Sequence, residues 1–172
     1  MIKNIWKSFT LIEILVYLAV FSVIIALIIS FLLWMTRSNT KTKVMRETLN
    51  NAERVMEVLA HEIKESESVY LPTTNSNQLS LKTKKYLPEG ENESYIDFYL
   101  CDSRICLKKE SQDPIFLTPD SVEVNSLVFT QILSGDSSSV QVDLSVDYKN
   151  PTARPEYQAS VNLTSTTSLR NY

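Results

Sequence analysis

Glu13 is the residue whose type and place most need a chemical reason. It interrupts the apolar run Phe9-Thr10-Leu11-Ile12-Glu13-Ile14, which follows a short tail carrying Lys3 and Lys7. An ionisable side chain in a transmembrane segment costs about 2.5–3.5 kcal/mol at mid-membrane and less near an edge. A carboxylate there is tolerated if it snorkels to the headgroups, or if a cation reaches it in low dielectric. A second pair of reactive groups is Cys101 and Cys106, separated by Asp-Ser-Arg-Ile. Placed on a hairpin they lie within disulfide reach if the register is right, and otherwise they are two partly buried thiols. The spacing is not Cys-x-x-Cys, so a redox role is disfavoured.

The remaining chemistry is sparse. The only glycines, Gly90 and Gly135, lie far apart, which excludes phosphate-cradling loops and dinucleotide fingerprints. One histidine and two cysteines cannot complete the common zinc sites, and His61 reads as a solvated helix residue. Asp97, Asp102, Asp113, Asp120 and Glu123 are oxygen donors for Ca2+ in principle, but they lack EF-hand spacing. Asn92-Glu93-Ser94 and Asn162-Leu163-Thr164 match a glycosylation sequon too short to carry weight. Neither a catalytic residue, a metal nor a cofactor is expected, and no basic stripe with interleaved aromatics points to nucleic acid.

The elements that must position Glu13 and the cysteines follow from patterning. From Ile14 to Met35 there are 22 residues without a charge, a Pro or a Gly. At 1.5 Å per residue that is about 33 Å, close to the hydrocarbon thickness of a bilayer. No Pro precedes Pro72 and no Gly precedes Gly90, so a helix from Phe9 to about Glu65 meets no strong breaker. Thr36 to Thr42 is its weakest stretch and a place for a kink. Beyond Arg37, Met45, Leu49, Ala52, Met56, Leu59 and Ile63 form an amphipathic stripe. Arg46, Glu47, Glu53, Arg54, Glu57, Glu62, Lys64 and Glu65 fall on the other face.

Strand grammar follows. Gln78 to Thr83, a hairpin of Tyr95 to Cys101 and Ile105 to Lys108 with a four-residue connection between the cysteines, and Val122 to Leu133 read as strands. Val140 to Tyr148 alternates strictly, and a last strand is expected around Tyr157 to Leu163. Thr73 to Gln78 and Lys84 to Ser94 read as polar loops. The fold class expected is α+β: one long helix, then five or so antiparallel strands packed on its second half. The organisation expected is a leader over 1–8, a membrane and assembly helix over 9–35, its amphipathic continuation over 36–66, and a β-rich domain over 67–172.

The segment Lys7-Ser8-Phe9-Thr10-Leu11-Ile12-Glu13 resembles the cleavage and methylation motif of type IV prepilins and pseudopilins. The resemblance implies that a prepilin peptidase cuts between Ser8 and Phe9, that Phe9 becomes the N-methylated first residue, and that Glu13 is the fifth. Family members usually carry Gly where this chain has the compact Ser8. The cut would remove two lysines, leaving 15 basic against 20 acidic residues, a net charge of -5. The new α-amine would be a cation beside lipid, and the Glu13 carboxylate of a neighbouring subunit would be its counter-ion.

Positive charge counted alone points to the inverted orientation, because Arg37, Lys41, Lys43 and Arg46 outweigh Lys3 and Lys7. The resemblance implies a cytoplasmic N-terminus and an extracytoplasmic domain, where a Cys101–Cys106 bridge is favoured.

Downstream, Glu53-Arg54-Val55-Met56 with Glu62-Ile63-Lys64, the hairpin around Phe98-Tyr99-Leu100, and Ser168-Leu169-Arg170-Asn171 resemble J-type minor pseudopilins and W-type minor pilins. They imply a subunit that initiates or assembles a filament of a type II secretion, pilus or competence machine. Its partners would be the peptidase, other pilin-like subunits, an inner-membrane assembly platform and membrane lipid. The competing expectation is a single-pass binding module with an uncleaved signal anchor.

Overall fold

The computed structural model describes residues 10–85, 87, 89–134 and 137–170. The predicted cleavage and methylation positions, Ser8 and Phe9, lie outside the described residues, as does Asn171. The chain divides into two compact units, Met1–Thr40 and Lys41–Tyr172.

A single helix, α1 (Leu11–Glu65), supplies the described α-helical part of both units. Absence of Pro and Gly permits its length, and its hydroxyl residues are absorbed locally. Thr36 Oγ1 donates to the Leu32 carbonyl at 2.9 Å, and Thr40 Oγ1 to that of Thr36 at 3.0 Å. The weak stretch therefore remains helical, its side chains bonding back to the preceding turn. Termination comes at Ser66, whose amide and Oγ both donate to the Ile63 carbonyl, at 3.4 and 2.7 Å.

In the second unit, helix residues from Lys41 onward pack with two antiparallel sheets, confirming the α+β class. The first sheet runs in sequence order: β1 (Ser68–Val69), β2 (Gln78–Thr83), β3 (Ser94–Cys101), β4 (Arg104–Lys109) and β5 (Ile115–Phe116). The second holds β6 (Val122–Ser134), β7 (Ser137–Tyr148) and β8 (Ser160–Ser168). The β2 bounds match the predicted strand, and β7 buries Val140, Val142, Leu144 and Val146 in alternation. Ala52, Val55, Met56, Leu59 and Ile63 of the helix join Leu81, Phe98 and Ile105 of one sheet and Val122, Leu144 and Val146 of the other in one apolar core.

Four expectations are corrected. The covered helix face begins at Val44 and Thr48, not at Met45, which is 43% exposed. Thr48 is tolerated inside because its hydroxyl donates to the Val44 carbonyl at 3.0 Å. Glu62, expected on the charged face, is only 6% exposed. The last strand starts at Ser160, because Pro155–Tyr157 forms a 3-10 turn. Lastly, the hairpin turn between β3 and β4 has two residues, not four, because Cys101 pairs directly with Arg104.

Candidate assembly site

Thr10 and Glu13 build the start of α1 together. The Glu13 amide donates to the Thr10 carbonyl at 3.1 Å and to Thr10 Oγ1 at 3.4 Å, and the Ile14 amide donates to the same carbonyl at 3.3 Å. Thr10-x-x-Glu13 is the capping-box spacing, in which the cap hydroxyl satisfies an orphan amide of the first turn. The carboxylate also sits where the helix dipole favours negative charge. Tyr17, four residues on, donates its hydroxyl to Glu13 Oε1 at 3.2 Å. Both relationships were missed from sequence, although the T-x-x-E spacing and an i, i+4 tyrosine were signals for them.

Beyond Glu13 the helix presents apolar side chains on every side. Leu18, Phe21, Leu27, Phe31 and Leu32 are all more than half exposed. An apolar helix all round is a membrane or core helix, and none of its most apolar stretch is buried inside the protein. The hydroxyls within it are satisfied by their own backbone: Ser22 Oγ donates to the Ala19 carbonyl at 2.8 Å and Ser30 Oγ to that of Ala26 at 2.9 Å. Such internal satisfaction is what lipid demands of polar groups. Phe31 and Trp34 pair with ring centroids 6.2 Å apart, shortly before Arg37. Trp at the polar end of an apolar span is typical of a membrane interface. The long apolar helix thus fits a single-pass membrane anchor.

Cys101 and Cys106, in the other unit, are disulfide-bonded, with Cα atoms 6.0 Å apart. Cys106 faces Tyr99 while Cys101 faces Arg104, so the bridge crosses the hairpin diagonally. Asp102 and Ser103 both take positive φ, 48° and 58°, as a two-residue hairpin turn requires. The turn is tied to the second sheet by the Val124 amide, which donates to the Ser103 carbonyl at 2.8 Å. Arg104 is held by Asp120 at 2.6 Å and lies over the Phe116 ring, 3.5 Å from its centroid.

The end of the helix is fixed by charge. Glu65 pairs with Lys85 at 2.8 Å and with Arg170 at 3.6 Å. The Lys85 hydrogen bond and charge hold the Glu65 carboxyl below its ordinary value, with Arg170 and exposed His61 adding to the effect. Arg170 follows Leu169, whose side chain is buried and whose amide donates to the Ser138 carbonyl at 2.9 Å. Of the acidic positions considered for calcium, Asp97 accepts from Ser80 Oγ at 2.5 Å and Asp120 is committed to Arg104. Among the described residues no three His, Cys, Asp or Glu side chains gather in a metal-ligating group.

Comparison with protein-family models, with curated proteins and with solved structures finds no match. What the structure itself supplies is a long N-terminal apolar helix whose second half packs on antiparallel sheets, the general type IV pilin-like architecture.

Proposed function

We propose that this chain is a minor pilin or pseudopilin subunit of a type IV pilus-like filament, acting in filament initiation or assembly through helix packing rather than catalysis. The observation that carries the reading is the lone carboxylate Glu13 in the first turn of a helix whose apolar side chains are uncovered on all sides. A bilayer covers such a helix in the single subunit, and the helices of neighbouring subunits cover it in a bundle. Glu13 is costly in the first setting and useful in the second, where a processed Phe9 amine of a neighbour neutralises it. The peptidase, the other subunits, the inner-membrane platform and lipid are the partners this reading requires. The N-terminus is cytoplasmic and the β-rich unit extracytoplasmic, where the Cys101–Cys106 bridge is stable.

A second reading has its own support: the Tyr17 hydroxyl already gives the Glu13 carboxylate a local partner, as a permanent single-pass anchor would need. On that reading the β-rich unit is a tethered binding module. Glu13→Ala separates the two. In a filament subunit the unsubstituted chain enters the sheared filament fraction and the variant, though inserted normally, is depleted from it. A chain absent from that fraction with or without the substitution favours the anchor, and undiminished incorporation removes the counter-ion role of Glu13.

A further inference from the structure

Between the Asn75–Gln78 turn, β3 and β6 lies an open cleft of about 630 Å3. That is the size of a small-ligand site. Four carboxamides line it, those of Asn75, Asn77, Gln78 and Asn125, together with Tyr99 and Ser126. No lining residue is charged, in a chain of which 22% of residues are.

The local sequence builds this wall in two ways. Asn75 and Gln78 exchange backbone hydrogen bonds at 2.9 and 3.4 Å, and the Asn77 amide donates to Asn75 Oδ1 at 2.8 Å, so the turn is closed on itself. The Phe129 amide then donates to the Ser76 carbonyl at 2.9 Å and pins the turn to β6. Across the cleft, β6 carries a bulge: Val124 pairs with Val146 and Ser126 with Ser145, leaving Asn125 as the extra residue. A regular strand sends consecutive side chains to opposite faces. Here the bulge leaves both Asn125 and Ser126 exposed and puts both on the cleft wall, the re-aiming such irregularities produce near sites.

The chemistry of the wall selects a ligand class. A carboxamide donates and accepts at once, and so does a sugar hydroxyl. Asn75 Oδ1 and Asn77 Oδ1 already accept internal bonds, while the Nδ2 groups of Asn75, Asn77 and Asn125 have no protein acceptor among the described residues. Tyr99 and Leu100 add an apolar surface of the kind a pyranose C–H face packs against. An anionic or cationic ligand would find no counter-charge there. We propose that this cleft binds a neutral saccharide segment, independently of whether the chain is processed or assembled.

The test uses the full-length chain in a non-glycosidic detergent. Neutral tetrasaccharides of glucose, N-acetylglucosamine, galactose and mannose are titrated by calorimetry, with a galacturonate tetramer and an uncharged peptide as competitors. The proposal requires at least one neutral sugar to saturate with a Kd of about 1 mM or tighter. Asn125→Ala and Asn77→Ala, both at exposed positions, should each weaken it by about ten-fold. Asn92→Ala, at an exposed position that does not line the cleft, should leave it unchanged. Saturation by none of the neutral sugars, binding indifferent to both cleft variants in folded protein, or preferential binding of the acidic sugar or the peptide would overturn it. The filament reading stands or falls separately, on N-terminal processing.

Discussion

Tyr17 donates its hydroxyl to the Glu13 carboxylate at 3.2 Å, one turn further along α1. Both residues lie on the apolar part of the helix, and the phenol is the side-chain donor that the chain itself brings to this acid. Hydrogen bonds between side chains in membranes contribute about 0.6 kcal/mol on average. Tyr17→Phe should therefore lower filament incorporation by only about three-fold, against a larger loss in Glu13→Ala. Because the two act on one carboxylate, the double variant should be no worse than Glu13→Ala alone. Quantification of the sheared filament fraction checks this, and additive losses would show that Tyr17 acts elsewhere.

The rotated contact face of α1 predicts unequal effects from neighbouring apolar residues. Leu59 is fully buried, and Leu59→Ala should destabilise the second unit by about 2–5 kcal/mol. Met45 is exposed, and Met45→Ala should change stability by no more than about 0.5 kcal/mol. Denaturant midpoints of the two variants decide whether the covered stripe runs through Val44 and Thr48 or through Met45.

The bridge across the β3–β4 hairpin closes a short loop, with a sequence separation of 5. The chain-entropy relation gives about 2 kcal/mol for a ring of that size. Replacing both cysteines by Ser should lower stability by about that amount while the hairpin keeps its register, since the tight turn and the Val124–Ser103 bond remain. Chemical denaturation with and without reductant measures the loss. A change in strand pairing would mean that the disulfide, and not the turn, sets the register.

Ion pairs at the helix end predict an acid limb in stability. Lys85 holds Glu65 below the ordinary value of 4.5, and Lys82 does the same to Glu93. A carboxyl lowered on folding contributes above its unfolded value, and the contribution is lost as pH falls from there through the folded value. Lys82 is raised by its bond to Glu93, so its contribution fades only as pH climbs past 10.5. Melting temperature should fall below about pH 4.5, less steeply in Glu65→Gln and in high salt. An acid limb of the same size in Glu65→Gln would remove Glu65 from the explanation.

How much could be read beforehand depended on how local the cause was. The length of α1 and the alternation of β7 follow from the absence of Pro and Gly and from a period of two, both written in contiguous residues. The α+β class followed from their order. The strands β1 and β5 escaped notice because two residues hold no period. The helix face was misread at its start because Val44 and Thr48 compete with Met45 and Leu49 for one stripe, and only the position of the sheets decides between them. The split of the strands into two sheets, with the cleft between the Asn75–Gln78 turn and the β6 bulge, depends on pairings across dozens of residues. Glu13 was visible as an anomaly, whereas the T-x-x-E spacing to Thr10 and the tyrosine four residues on, both local signals, went unread.

If the chain is a filament subunit, its N-terminus is processed to free Phe9 for pairing with a neighbour's Glu13, and the intact mass of the membrane-extracted protein decides this. The expected mass is that of a chain lacking Met1 to Ser8 and carrying one additional methyl group on Phe9. A chain that retains Met1 to Ser8 would contradict it and leave the permanently anchored module as the better reading.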